Sequence, residues 1–144
     1  MKRFHESDLR KRRFSEFGSC YSVTKCVEGR RHYLVSDPKD PVIAEATCEI
    51  IVSSLRWLHE AERILCFGYV VMPDHVHTTF VLLSNASVSS VMESFCKFTA
   101  RKLNRSLNRV GQFWQHSYYE RMVRDDDEFH NQLNYMRENP VRAG

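Results

Sequence analysis

Several features are scarce in this chain, and each scarcity narrows the reading. The five cysteines, at positions 20, 26, 48, 66 and 96, are odd in number, form no CxxC pair and sit in apolar stretches. That is not a disulfide framework; it reads as reduced, mostly buried thiols. No apolar run approaches the ~20 residues a membrane span needs. The N-terminus is charged rather than apolar, so no signal peptide is expected. With 5 glycines and 4 prolines in 144 residues, no collagen-like or low-complexity composition is present, and no internal repeat marks a second unit. The expectation is a soluble cytoplasmic protein with a single domain over residues 1–144, long enough to bury a core without disulfides.

What is present is a mild basic excess, net +3, unevenly spread. Residues 1–33 carry nine Lys/Arg against four acids, densest at Arg10-Lys11-Arg12-Arg13. A second group is Lys97, Arg101, Lys102, Arg105 and Arg109, while acids gather at Asp125-Asp126-Asp127-Glu128. Either basic group can be a solvated surface or a phosphate-binding one.

Hydrophobic periodicity predicts the elements. Ser19–Val27 is β-branched and aromatic, hence a strand. After the Asp37-Pro38-Lys39-Asp40-Pro41 turn, Ile43, Ala46, Ile50, Ile51, Leu55 and Leu58 recur at helical spacing. Ile64–Val71 reads as a strand buried on both faces, joined through Met72-Pro73-Asp74 to a strand at His75–Leu83. A helix is expected from Ser87 to Asn108 and a strand over Tyr118–Arg124. A last helix, capped by Asp125-Asp126, should end near Glu138 because Pro140 stops it. The order β-α-β-β-α-β plus one helix predicts an α+β, ferredoxin-like fold with a central antiparallel sheet. Fold alone does not assign function.

On a strand, His75 and His77 point to one face, and Val76, Thr78, Phe80 and Leu82 to the other, against the helices. Two neighbouring imidazoles can grip a divalent cation; they can equally be two polar residues on a wet sheet face. On the last helix, Phe129, Leu133 and Met136 should face the core. Tyr135 and Asn139 stack one turn apart on a neighbouring stripe. Asn139 can offer a carbonyl oxygen to a hard cation, and Tyr135 a phenolic nucleophile. The bland alternatives are a packed ring and a helix terminator.

Met72-Pro73-Asp74-His75-Val76-His77 and Asn134-Tyr135-Met136-Arg137-Glu138-Asn139-Pro140-Val141-Arg142-Ala143-Gly144, in that order, resemble the signatures of the single-tyrosine transposases of the HUH superfamily, especially the REP-associated type. Phe113-Trp114-Gln115, Tyr118-Tyr119-Glu120-Arg121, Val123-Arg124-Asp125, the strand with Tyr21, Val23 and Thr24, and Arg30-Arg31 fit the same pattern. The resemblance implies His75 and His77 as metal ligands, Asn139 as the third, and Tyr135 on the C-terminal helix as nucleophile. It also implies Mg²⁺ or Mn²⁺ and a 5′-phosphotyrosine intermediate. The implied substrate is single-stranded DNA with hairpins, of the repetitive palindromic type, cut and rejoined in DNA transposition by a nucleoid-associated monomer or homodimer.

DNA contacts would come from Arg12, Arg13, Arg30, Lys97, Arg101, Lys102, Arg105 and Arg121 through phosphates. Trp114, with Tyr21, Tyr118 and Tyr119, could stack on bases or pack in the core. Two alternatives stay open: a non-catalytic ferredoxin-like nucleic-acid-binding protein, and a metal-dependent nuclease with no covalent step.

Overall fold

The β2–β3 hairpin organises the molecule. In the computed structural model the described residues are 20–34, 41–83 and 86–143, with side chains described except at 41–44 and 135–143. The elements are β1 (Cys20–Cys26), a short turn at Glu28–Arg30, α1 (Pro41–Glu60), β2 (Ile64–Met72), β3 (His75–Leu82), α2 (Val88–Ser106), β4 (Tyr119–Val123) and α3 (Asp126–Ala143). β2 and β3 pair antiparallel from Ile64↔Leu82 to Met72↔His75, so Pro73-Asp74 is a two-residue hairpin turn. β1 pairs antiparallel with both β3 and β4, which sets the four-stranded order β2-β3-β1-β4. This is the expected split βαβ sheet.

The alternation of each strand sorts its residues between two helical layers. Val23 of β1, Val27 just after it, and Val76 and Phe80 of β3 are buried beneath α1 and α2. Those helices contribute Ile51, Leu55 and Leu58, and Val91, Met92, Phe95 and Leu103. The opposite sheet face carries a smaller cluster of Cys20, Leu65, Val81, Val123 and Phe129, with Leu133 packed beside it. α3 therefore closes the second face, and Phe129 and Leu133 turn inward as their spacing predicts; the side chain of Met136 lies outside the described residues. α2 begins with a reciprocal cap, in which Ser87 Oγ accepts from the Ser90 N–H and Ser90 Oγ from the Ser87 N–H, both at 3.1 Å. α3 begins with Asp125 Oδ1 accepting from the Glu128 N–H at 2.8 Å, and three acids follow in its first turn, where the helix dipole favours them.

Three expectations need correction. β2 is buried on both faces only in its first half, where Ile64 and Leu65 enter the two opposite clusters; Tyr69 further along is exposed. α3 runs to Ala143, past Pro140, rather than ending near Glu138. A proline in the last turn removes one backbone donor without having to end the helix there. Trp114 is 4% exposed, stacked against Phe95 and Phe113, and its indole N–H donates to Thr99 Oγ1 at 2.9 Å. It is a core residue and presents no surface to a base.

Lys25 is also buried, on the core side of β1. Its Nζ donates to the carbonyls of Gln115, His116 and Ser117, and it lies 5.7 Å from the Tyr118 ring centroid. A buried cation needs such partners. Here it ties β1 to the segment that leads into β4. Among the described residues no helix is long and apolar enough to cross a membrane.

Candidate active site

His75 and His77 lie on the β3 face opposite Val76 and Phe80, as alternation requires, and the register surrounds them with polar partners. Thr24 is the cross-strand neighbour of His77, and Ser22 of Thr79, so both hydroxyls share the histidine face. Thr24 Oγ1 lies 2.8 Å from His77 Nδ1 and Ser22 Oγ 2.9 Å from His77 Nε2. The third partner comes from α3: Gln132 Oε1 is 3.2 Å from His77 Nε2 and accepts from Ser22 Oγ at 3.1 Å. Burial pushes the His77 imidazole below the ordinary histidine range; the Gln132 hydrogen bond opposes that shift and the neighbouring His75 adds to it. His77 is thus neutral at pH 7, the form in which an imidazole nitrogen can bind a cation.

His75 is held by the turn before it. Its Nδ1–H donates to Asp74 Oδ1 at 2.7 Å, while Arg30 Nε donates to Asp74 Oδ2 at 2.7 Å. Burial would raise the Asp74 carboxyl, but hydrogen bonds from His75 and Arg30 outweigh it and hold the group below the usual carboxylate value. Arg30 reaches Asp74 because Gly29 (φ 67°) and Arg30 (φ 55°) both adopt the left-handed region. The chain around them is stitched to the hairpin by the Val27 N–H on the Asp74 carbonyl (2.9 Å) and the Leu34 N–H on the Pro73 carbonyl (3.0 Å).

These contacts constrain the protons on the ring nitrogens. Asp74 accepts from His75 Nδ1–H, which leaves His75 Nε2 outside that hydrogen bond. For His77 the Gln132 amide oxygen only accepts, so that hydrogen bond puts the proton on Nε2, with Thr24 Oγ1 donating to Nδ1. Thr24 Oγ1 can equally accept from Nδ1, the tautomer that a cation at Nε2 would require in place of the Gln132 hydrogen bond.

Among the described residues no three His, Cys, Asp or Glu side chains are placed to share a metal ion. An ion here would need further oxygen ligands, such as an amide. The Gln132–His77 spacing of 3.2 Å is that of their hydrogen bond, which a shared cation would replace. Two imidazoles and one amide are donors that a divalent cation accepts.

The other sequence-predicted site residues fall into separate places. Position 135 is in α3, three residues beyond Gln132, and position 139 one turn further. The side chains of Tyr135 and Asn139 lie outside the described residues, as do Arg12 and Arg13 entirely. Arg30 is committed to Asp74 although exposed. Arg121 lies on the histidine face, opposite Ser22, and pairs with Glu128. Lys97, Arg101, Lys102 and Arg105 are exposed on α2, in the helical layer on the other side of the sheet. Sequence reasoning missed Ser22, Thr24 and Gln132. The only signal for Gln132 was its place three residues before Tyr135 on a helix.

With this geometry in hand, the comparisons with known proteins are consistent. The chain belongs to the IS200-like transposase family, whose model matches residues 21–139. A Haemophilus influenzae protein named as a REP-associated tyrosine transposase is 30% identical over 84 residues, covering 51% of this chain and 48% of that protein. The match thus spans about half the length of that relative. A REP-associated tyrosine transposase solved bound to a REP hairpin superposes with a TM-score of 0.63 at 16% identity, covering 100% of this chain and 75% of that one. A Deinococcus radiodurans structure described as a transposase gives 0.58 at 16% identity, covering 96% and 97%. At those identities the two structures speak for the fold.

Proposed function

We propose that this chain nicks and rejoins single-stranded, hairpin-containing DNA through Tyr135, as a divalent-metal-dependent transposase. The observation that carries the reading is the hydrogen bond between His77 on β3 and Gln132 on α3. It ties α3 to the histidine strand of the same chain, with position 135 three residues beyond the contact, about 4.5 Å along the axis, which supports a site completed within one chain. His75 and His77 would hold the cation through Nε2, with an amide oxygen from α3: Asn139, as the family resemblance suggests, or Gln132, which already lies beside His77. When bound, Mg²⁺ or Mn²⁺ would polarise the scissile phosphate and favour the phenolate.

The chain's own groups account for the rest. The Tyr135 oxygen attacks phosphorus, forming the Tyr–O–P bond as the P–O3′ bond breaks. The phenolic proton is lost to solvent and a proton is taken up on the departing 3′-oxygen. Attack by a 3′-OH on that phosphotyrosine reverses the sequence and reseals a strand, so the bond energy is retained. Asp74 and Thr24 hold the two imidazoles in orientation.

A pure binding module on this fold is less well supported. RNA-binding sheets of this kind present aromatic side chains on their central strands, whereas the histidine face of β1 and β3 carries Ser22, Thr24, His75, His77 and Thr79. The test is a labelled single-stranded hairpin DNA incubated with Mn²⁺ and resolved under denaturing conditions. A denaturant-resistant adduct is expected with the wild type and none with Tyr135→Phe. An adduct that persists in Tyr135→Phe refutes the nucleophile, and cutting without any adduct favours a nuclease.

A further inference from the structure

The basic residues of α2 are not spread over an open surface. Lys97, Arg101 and Lys102 line a groove of about 470 Å³ between α1 and α2, together with Trp57, Phe98 and Leu58. Trp57 is 56% exposed and Phe98 38%, although both are large enough to have been buried had packing alone been selected. Among the described residues no carboxylate lines the groove. Its volume is that of a site for a small ligand or for one or two bases.

The groove is on the outer side of the helical layer. α1 and α2 pack against the sheet face of Val76 and Phe80, while His75 and His77 occupy the other face. The histidine site and the groove therefore lie on opposite sides of the molecule. A DNA segment lying in one cannot be the segment cut at the other.

We infer that the α1–α2 groove is a second nucleic-acid site, which takes unpaired DNA by stacking bases on Trp57 and Phe98 and holding phosphates with Lys97, Arg101 and Lys102. The inference rests on the reading of the chain as a single-stranded DNA enzyme. Aromatic faces with cations alongside are the ordinary means of binding single strands without a fixed sequence. Lys102 Nζ already lies 4.8 Å over the Phe98 ring, so the cation and the stacking surface are adjacent. Lys97 pairs with Glu93, outside the lining, at 3.3 Å; the pair is exposed at both ends and readily exchanged for a phosphate. Charge argues against residues 1–19 as the occupant. That segment carries six Lys/Arg against three acids, so it would be repelled by a basic groove.

The experiment uses the full chain in EDTA with a short oligothymidylate that forms no hairpin. Trp114 is buried, so quenching of tryptophan fluorescence reports Trp57. Quenching is expected with the oligothymidylate and not with a blunt duplex, whose bases are already stacked. Trp57→Ala should abolish the quench and weaken binding about tenfold, within the range of one lost stacking contact. Arg101→Glu with Lys102→Glu should lower the slope of log affinity against log salt by about 1.4, two phosphates at about 0.7 each.

Wild-type affinity and salt dependence in both variants would overturn the groove. The enzyme reading survives that result if the Mn²⁺-dependent hairpin adduct still forms. Quenching of Trp57 by oligoglutamate as strong as by the oligothymidylate would also overturn it, in favour of an acidic protein segment.

Discussion

Gln132 Oε1 of α3 lies 3.2 Å from His77 Nε2 of β3. The contact joins the C-terminal helix to the strand that carries the histidine pair, across 55 residues of chain. It makes the assembly of the site a property of how α3 docks, and it brings an amide oxygen to a histidine without help from a second copy.

Loss of that amide should weaken metal binding rather than the fold. Gln132 is only half-buried, so Gln132→Ala should leave the thermal midpoint nearly unchanged. Affinity for Mn²⁺, measured by calorimetry or by the spectrum of the free ion, should fall about tenfold or more, as for partners of metal-bound histidines. Unchanged affinity would assign the amide role to Asn139 alone.

Asp74 should matter more than Arg30. Asp74→Asn removes the charged acceptor of His75 Nδ1 and should lower Mn²⁺ affinity by about 10–100-fold. Arg30 touches Asp74 from an exposed position, where an ion pair contributes little. Arg30→Ala should therefore cost far less affinity. The reverse ranking would mean that Arg30, and not Asp74, orients the site.

Trp114→Ala should behave as a core mutation. The ring is packed on Phe95 and Phe113, and its removal should destabilise the chain by about 3–5 kcal/mol in urea unfolding. Tryptophan at a DNA contact would instead give a stable protein with weak binding, and that outcome would restore Trp114 to the interface.

Cys20 and Cys96 should be inert in the folded chain. Burial pushes the Cys20 thiol up to about 12, with Glu128 adding to the shift, and burial pushes Cys96 to about 11 against a small opposing effect of Lys25. A thiol with a raised folded value favours the protonated native state. Its stabilisation is full below the ordinary value of 9.0 and is lost as pH rises from there through about 11 and about 12. Neither residue should be alkylated at pH 8 until urea unfolds the chain, as mass spectrometry of the labelled peptides would record. Urea midpoints should fall as pH rises above about 9. Rapid labelling of native Cys20 would contradict this.

Local order was readable because it is written in local pattern. The period-2 runs of β1 and β3, the period of Ile51, Leu55 and Leu58, and the cap at Asp125 locate elements to within a residue or two. The same alternation puts His75 and His77 on one face. What failed was whatever depended on a neighbour in space. β2 has the composition of a doubly buried strand, yet Tyr69 in its second half is exposed. Trp114 has the composition of a stacking platform, yet Phe95, Phe113 and Thr99 enclose it. Pro140 reads as a stop, yet the helix passes it.

By itself, then, the sequence determined the order of elements and the fold class, and it nominated His75, His77, Asn139 and Tyr135 for the chemistry. Only the tertiary structure decided what surrounds them. Cross-strand register chose Thr24 for His77, and a left-handed turn brought Arg30 to Asp74. The docking of α3 on the second sheet face chose Gln132. The packing of α1 on α2 gathered Trp57, Phe98 and three cations into one groove. Each of these depends on residues far apart in the chain, and no periodicity along a single segment records where such residues meet.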